Sequence, residues 1–288
     1  MIVVEAPGLL TTVQDLGRPG YAHLGVSASG AADMLALRAG NRLVGNDEAA
    51  PALEMTLAGG TFRFEQDAVV ALAGSDFGAE TWRPFAVQAG ETLRLGQSRA
   101  GARCYLCVRG GIETPLVLGS ASVHVLTGLG GRPLRRGDVL RIGPPPPRPP
   151  LWRGRQWDRD RLAPLRVTRG PQADWFRRGL DGLTYHVREE SNRMGLRLKG
   201  PRFLQRGELL TEGAPLGAVQ IPPGGEPLIL FVEHQTTGGY PKIANVISAD
   251  FWKLGQLRPR DPVRFETVTF ERARALLLEQ EAWLDGLA

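Results

Sequence analysis

Residues 143–150 read GPPPPRPP, a proline run broken once by Arg148. Proline fixes φ and lacks an amide donor, so the run is a stiff polyproline II spacer. Arginine- and tryptophan-rich sequence continues to about residue 161. The spacer falls near the middle of a 288-residue chain. It predicts a first subdomain over 1–146, a linker over 147–161 and a second subdomain over 162–288.

A central linker invites a search for duplication. Leu57-x-Gly59-Gly60-x-Phe62 recurs as Leu198-x-Gly200-Pro201-x-Phe203. Val108-Arg109-Gly110-Gly111 finds a counterpart in a strand leading to Gly238-Gly239. Leu134-x-x-Gly137-Asp138-Val139 recurs as Leu257-x-x-Arg260-Asp261-x-Val263. The three matches keep their order, which predicts two related β-rich halves. Alternating or apolar runs between turns predict strands over 2–5, 52–57, 61–64, 68–73, 92–95, 103–108 and 138–142. In the second half they fall at 165–168, 184–187, 196–198, 217–221, 228–233, 243–247 and 262–268. Helices are few. One is expected over 31–44 with Ser29 as its N-cap, a short one from Pro171 to about Leu180, and a terminal one over 270–285.

Composition agrees with a mostly β chain. Gly (37) and Pro (22) together make up roughly a fifth of the residues, against about 12% on average. That excludes a helical bundle or a coiled coil. Net charge is +5, without a Lys/Arg run, so no nucleic-acid partner is expected. No stretch of apolar residues is long enough to span a membrane. The N-terminal MIVVEAPGLL has no basic stretch ahead of its apolar residues, so a cytoplasmic chain without a signal peptide is expected. Cys104 and Cys107 form a C-x-x-C. They lie in an alternating segment, where residues three apart face opposite ways. A redox or metal pair is therefore not expected, and the four scattered histidines suggest no metal site.

Three segments are more polar than packing requires. The first, 11–33, holds Gln14, Asp15, Arg18, Ser27, Ser29 and Asp33 before a helix start whose amide groups suit an anion. Its plainer reading is a turn and a helix cap. The second, 191–200, holds Asn192, Arg193 and Arg197. Two guanidiniums can grip a carboxylate or phosphate, or simply line an exposed strand. The third, 233–243, reads EHQTTGGYPKI. Gln235, Thr236, Thr237, Gly238 and Gly239 offer hydroxyls and a backbone nest, followed by Tyr240 and Lys242, one of only three lysines. The alternative is a bulge or hairpin at a barrel rim. No Walker A loop, G-x-S-x-G elbow or H-E-x-x-H occurs.

Taken in order, TTVQDLGRPGY (11–21), GVSASGAAD (25–33), NRLVGNDEAAPALEMTL (41–57), SNRMGLRLKGP (191–201), EGAPLGAVQIPPGGEP (212–227) and QTTGGYPKIANVISAD (235–250) carry a resemblance. The chain resembles the biotin-dependent carboxyltransferase subdomain A/B family, which includes the C component of 5-oxoprolinase, KipA and the second component of allophanate hydrolase. It departs from the family pattern at Ser27, at Ala32 and at Glu233-His234.

The resemblance implies two tandem cyclophilin-like β-barrels with few short helices. It implies an ATP-dependent 5-oxoprolinase, opening 5-oxoproline to L-glutamate together with an A component and a KipI-like B component. Under it, Lys242, Tyr240 and Thr237 are candidate catalytic residues. Substrate would meet Asn192, Arg193, Arg197, Gln235, Thr236, Gly238, Gly239, Gln14, Asp15, Arg18, Ser29 and Asp33. The three segments are expected to converge on one pocket. ATP, with magnesium, is the expected cofactor, at a site that a partner could share. No biotin is expected on this chain, since the A-M-K-M attachment motif is absent. The alternatives are a carboxyltransferase component of a urea carboxylase type of system and a non-enzymatic antagonist of a KipI-like kinase inhibitor.

Overall fold

A computed structural model describes residues 1–151, 156–157, 160–204, 207 and 209–287. Part of the expected linker, 152–155 and 158–159, lies outside the described residues. The chain forms two compact units. The first comprises Met1–Arg18, Ser29–Arg159 and Trp283–Ala288; the second comprises Pro19–Ala28 and Asp160–Ala282. No described helix is long and apolar enough to cross a membrane.

The first unit carries β1 (Ile2–Ala6), β2 (Leu10–Gln14), α1 (Met34–Leu43), β3 (Ala52–Thr56), β4 (Thr61–Phe64), β5 (Ala68–Gly74), β6 (Pro84–Val87), β7 (Thr92–Arg94), β8 (Arg103–Val108), β9 (Ile112–Glu113) and β10 (Val139–Ile142). They make two five-stranded sheets, in the orders β7-β4-β1-β10-β9 and β2-β3-β8-β5-β6. Ile2, Val4, Phe62 and Phe64 from one sheet share a core with Leu53, Met55, Val70 and Leu106 from the other. β5 and β8 run apolar on both faces because α1 covers the side away from that core. Cys104 belongs to the core, whereas the Cys107 thiol points to the Leu37 carbonyl of α1. The two thiols are thus on opposite faces, as the alternation required, and burial pushes both up in pKa. Gly40 lets α1 approach, since a Cβ there would meet the Cys107 sulfur at 2.6 Å.

The second unit carries β11 (Leu165–Arg169), β12 (Thr184–Val187), β13 (Gly195–Lys199), β14 (Glu212–Gly213), β15 (Ala218–Gln220), β16 (Leu228–Leu230), β17 (Thr237–Gly238), β18 (Lys242–Val246), α2 (Phe251–Gln256), β19 (Pro262–Thr267) and α3 (Phe270–Asp285) as far as Ala282. Seven strands close a barrel in the order β11-β18-β15-β16-β13-β12-β19. Only the β11–β19 pair is parallel. β14 and β17 form a separate two-stranded ribbon. The mostly β architecture with few helices is the one expected, and no described sheet runs through both units.

One repeat match is the same turn twice. Arg135 N donates to Asp138 Oδ2 at 2.8 Å, and Arg258 N donates to Asp261 Oδ2 at 2.7 Å. The residue before each aspartate, Gly137 or Arg260, takes a left-handed backbone (φ 89° and 72°). Other expectations need correction. The α1 N-cap is Asp33, whose side chain accepts from Ala36 N; Ser29 sits earlier with φ 56°. Pro171 starts no α-helix; only a 3-10 turn at Ala173–Trp175 follows, because Phe176 is already extended.

Candidate functional site

A polar arrangement of the second unit gathers at β15 and β18. Gln220 registers opposite Lys242, and a bulge between Val219 and Gln220 breaks the ladder there. Gln172 brackets the Lys242 backbone, accepting from Lys242 N at 2.9 Å and donating its own backbone N–H to Lys242 O at 3.2 Å. The Lys242 ammonium, 4% exposed, pairs with Glu212 on the ribbon. The same Glu212 oxygen accepts from Gln172 Nε2 at 2.9 Å. The hydrogen bond from Lys242 holds the Glu212 carboxyl below its ordinary range. Glu212 registers opposite Gly238, and a Cβ on Gly238 would lie 3.3 Å from Gln220 Nε2 and 3.4 Å from Gln235 Nε2. Gln220, Lys242, Glu212 and Gly238 therefore form a closed ring of neighbours.

This differs from a backbone nest. Neither Gly238 nor Gly239 has the left-handed φ that a nest requires, because Gly238 is part of the ribbon. Thr236 O accepts from Ala214 N at 3.0 Å, Thr237 is exposed, and Tyr240 is 40% exposed.

Arg193 and Arg197 do not share a grip. Arg193 Nε lies 2.5 Å from Glu233 Oε1, with side chains 6% and 1% exposed. Arg197 stands on the outward face of β13 and lines an open groove with Arg188, Asn192 and Glu226. The separation follows from β13 starting at Gly195, which leaves Arg193 in the preceding turn. Asn192 Oδ1 closes that turn by accepting from Met194 N at 2.8 Å.

Gln14, Asp15, Arg18, Ser29 and Asp33 belong to the first unit, while Pro19–Ala28 groups with the second. Asp15 is buried and accepts from Gly17 N, Ser120 Oγ and Ala121 N, each at 2.7 Å, and from Ser122 Oγ. Arg18 donates to the carbonyls of Val117 and Ser122, and Gln14 to Val123 O at 2.9 Å. These three residues fasten the 117–123 segment. Asp15→Ala is expected to lower the unfolding free energy by about 3 kcal/mol, because several buried donors lose their acceptor. Urea denaturation checks this, and a loss below about 1 kcal/mol would contradict the fastening role.

The amide groups at the start of α1 are not open to an anion. Ala31 N donates to Asp15 O at 2.8 Å, Ala32 N to Glu54 Oε2 at 2.8 Å, and Asp33 N to the Tyr105 hydroxyl at 2.8 Å. Tyr105 in turn donates to Glu54 Oε2 at 2.6 Å. Burial and the nearby Glu54 push the Tyr105 hydroxyl upward in pKa, so it remains a donor. Sequence reasoning misses Glu54, Glu212 and Gln220. A lone charge inside ALEMT and a lone amide inside AVQI are the available signals.

Known proteins share this fold and sequence. The family model described as carboxyltransferase domain, subdomain A and B, matches residues 24–267. The chain is 38% identical over 314 residues to the C component of 5-oxoprolinase from Escherichia coli, covering 100% of this chain and 98% of that one. It is 37% identical to the C component of 5-oxoprolinase from Haemophilus influenzae, covering 96% and 94%. Among solved structures, the K. lactis urea amidolyase superposes with a TM-score of 0.90 at 32% identity, covering all of this chain and 20% of that one.

Proposed function

Because the chain belongs to the carboxyltransferase subdomain A and B family, we propose that it is the C component of an ATP-dependent 5-oxoprolinase. With the A and B components it opens 5-oxoproline, a five-membered lactam, to L-glutamate. The observation that carries this is the extent of the likeness. The chain spans 98% of the E. coli 5-oxoprolinase component but a fifth of the urea amidolyase.

The chemistry suits the ring at Lys242. A five-membered lactam is unstrained, so its amide resonance opposes hydrolysis. Transfer of the γ-phosphoryl group of ATP to the amide oxygen, with ADP as the leaving group, ends that resonance. Water then adds at the ring carbon, the C–N bond breaks as the nitrogen takes a proton, and the resulting acyl phosphate is hydrolysed to L-glutamate and phosphate. Negative charge in the transfer lies on the phosphoryl oxygens. A buried ammonium held in place by Glu212 meets such charge without reorganising. Among the described residues no cluster of three His, Cys, Asp or Glu side chains could hold a metal ion. In this reading magnesium travels on the phosphates of ATP, at a site shared with a partner protein.

The likeness to urea amidolyase favours a second reading, carboxyl transfer to or from a biotin carried on another chain. The two separate in one assay of the assembled components. Phosphate release from ATP should rise with 5-oxoproline and remain at background with urea. Stimulation by urea together with a biotinylated carrier, and none by 5-oxoproline, would overturn the first reading in favour of the second.

A further inference from the structure

We propose that the Gln220 carboxamide recognises substrate by pairing with a cis-amide edge, the N–H and C=O that a small ring holds side by side; this rests on the function proposed above. Gln220 is fully buried on β15. Both its Nε2 and its Oε1 lack a hydrogen-bond partner among the described residues. Folding has taken this amide out of water and replaced none of its hydrogen bonds, a loss that methionine or leucine would avoid.

Two polar neighbours already have partners. The Lys242 ammonium, in register opposite, is held by Glu212. The Gln172 amide is divided between Glu212 and Lys242 N. On another side stands Gly238, which has no side chain to offer. The donor and acceptor of Gln220 are therefore both available, on one planar edge.

A primary carboxamide presents C=O and N–H side by side. Its full complement is a second amide with the same syn arrangement, joined through two hydrogen bonds in one ring. Trans peptide bonds cannot supply this, because their N–H and C=O point in opposite directions. A five-membered lactam must, since ring closure forces the amide cis. Cyclic ureides and urea share the feature. The ligand class is thus a small cis-amide, and lactam and ureide are its two sources.

Access runs through the β14–β17 ribbon, which is two residue pairs wide. Each of its residues is at least partly exposed, and two of the four are glycine. A Cβ on Gly213 would touch nothing within 4 Å. Binding requires this thin layer to part from Gln220, and the bound state is favoured by the two hydrogen bonds then made. Because directly opposed residues on paired strands share a face, the amide and the Lys242 ammonium are presented together.

The test uses the assembled three-component enzyme and the purified chain. In the enzyme, Gln220→Met is expected to raise the half-saturating 5-oxoproline concentration by about ten- to hundredfold, with the melting temperature equal or higher. On the wild-type chain, calorimetry should detect 2-pyrrolidinone and not N-methyl-2-pyrrolidinone, which has no N–H to donate. Tighter binding of 2-pyrrolidinone than of 2-imidazolidinone supports a lactam; the reverse supports a ureide and retains the edge pairing. An unchanged half-saturation in an active Gln220→Met enzyme would overturn the proposal while the function stood. Equal binding of the two pyrrolidinones would overturn it whether or not the Met variant folds. An assembled wild-type enzyme inactive on 5-oxoproline would remove the proposed function, and the calorimetry would still decide the amide edge.

Discussion

Lys242→Ala is expected to lower the turnover of the assembled 5-oxoprolinase about a hundredfold or more, the size of effect seen when one preorganised donor to a developing anion is removed. The fold should survive. Glu212, the partner left behind, is 37% exposed and can be hydrated. The loss should appear in kcat more than in half-saturation, because the charge that the ammonium meets develops along the reaction. Glu212 accepts one of the three N–H donors of Lys242, leaving others for substrate. Steady-state kinetics and a melting curve on the same preparation decide the matter. Near wild-type turnover would make the pair a structural brace.

Glu233→Ala is expected to destabilise the second unit by about 3–5 kcal/mol, since it removes the carboxylate that faces a buried guanidinium, that of Arg193. Sequence alone offers Arg193 as a grip for a substrate carboxylate. The structure instead turns it toward Glu233, both side chains almost fully buried. Replacing the pair together, Arg193→Met with Glu233→Leu, should recover most of the loss, because it removes both desolvated charges. Chemical denaturation of the three proteins supplies the comparison. A double variant as unstable as Glu233→Ala would show that the pair contributes more than mutual neutralisation.

Legibility in the sequence depends on the element. The barrel strands are visible because apolar alternation reports burial directly, as in LRVTR (165–169) and PVRFET (262–267). The 135–138 and 258–261 turns are visible as a motif because an aspartate that accepts the amide three residues before it needs a fixed spacing. The ribbon is not visible. Its strands are two residues long, too short for any periodicity, and its pairing joins Glu212 to Gly238 across the sequence. Strand β2 reads as loop because Thr11, Thr12 and Gln14 are polar, yet all three are buried through hydrogen bonds such as that from Gln14 to Val123 O.

The polar site divides the same way. Lys242 stands out by rarity and by its glycine-rich approach. Glu212 and Gln172 do not, since carboxylates and amides on loops are common. Their significance lies in contacts across 30 and 70 residues. The paired arginines show how chemistry can be right while partners are wrong. Composition identifies a guanidinium, and only the fold shows whether it faces a ligand or a buried glutamate.

Whether this chain takes part in lactam opening is decided by following ring-labelled 5-oxoproline with carbon-13 NMR. The mixture holds ATP and the A and B components of 5-oxoprolinase, with and without this chain. L-Glutamate should form in proportion to the ATP hydrolysed when the chain is present, and none should form when it is omitted. Equal glutamate formation without the chain, or ATP hydrolysis without ring opening when it is present, would refute its assignment to the enzyme.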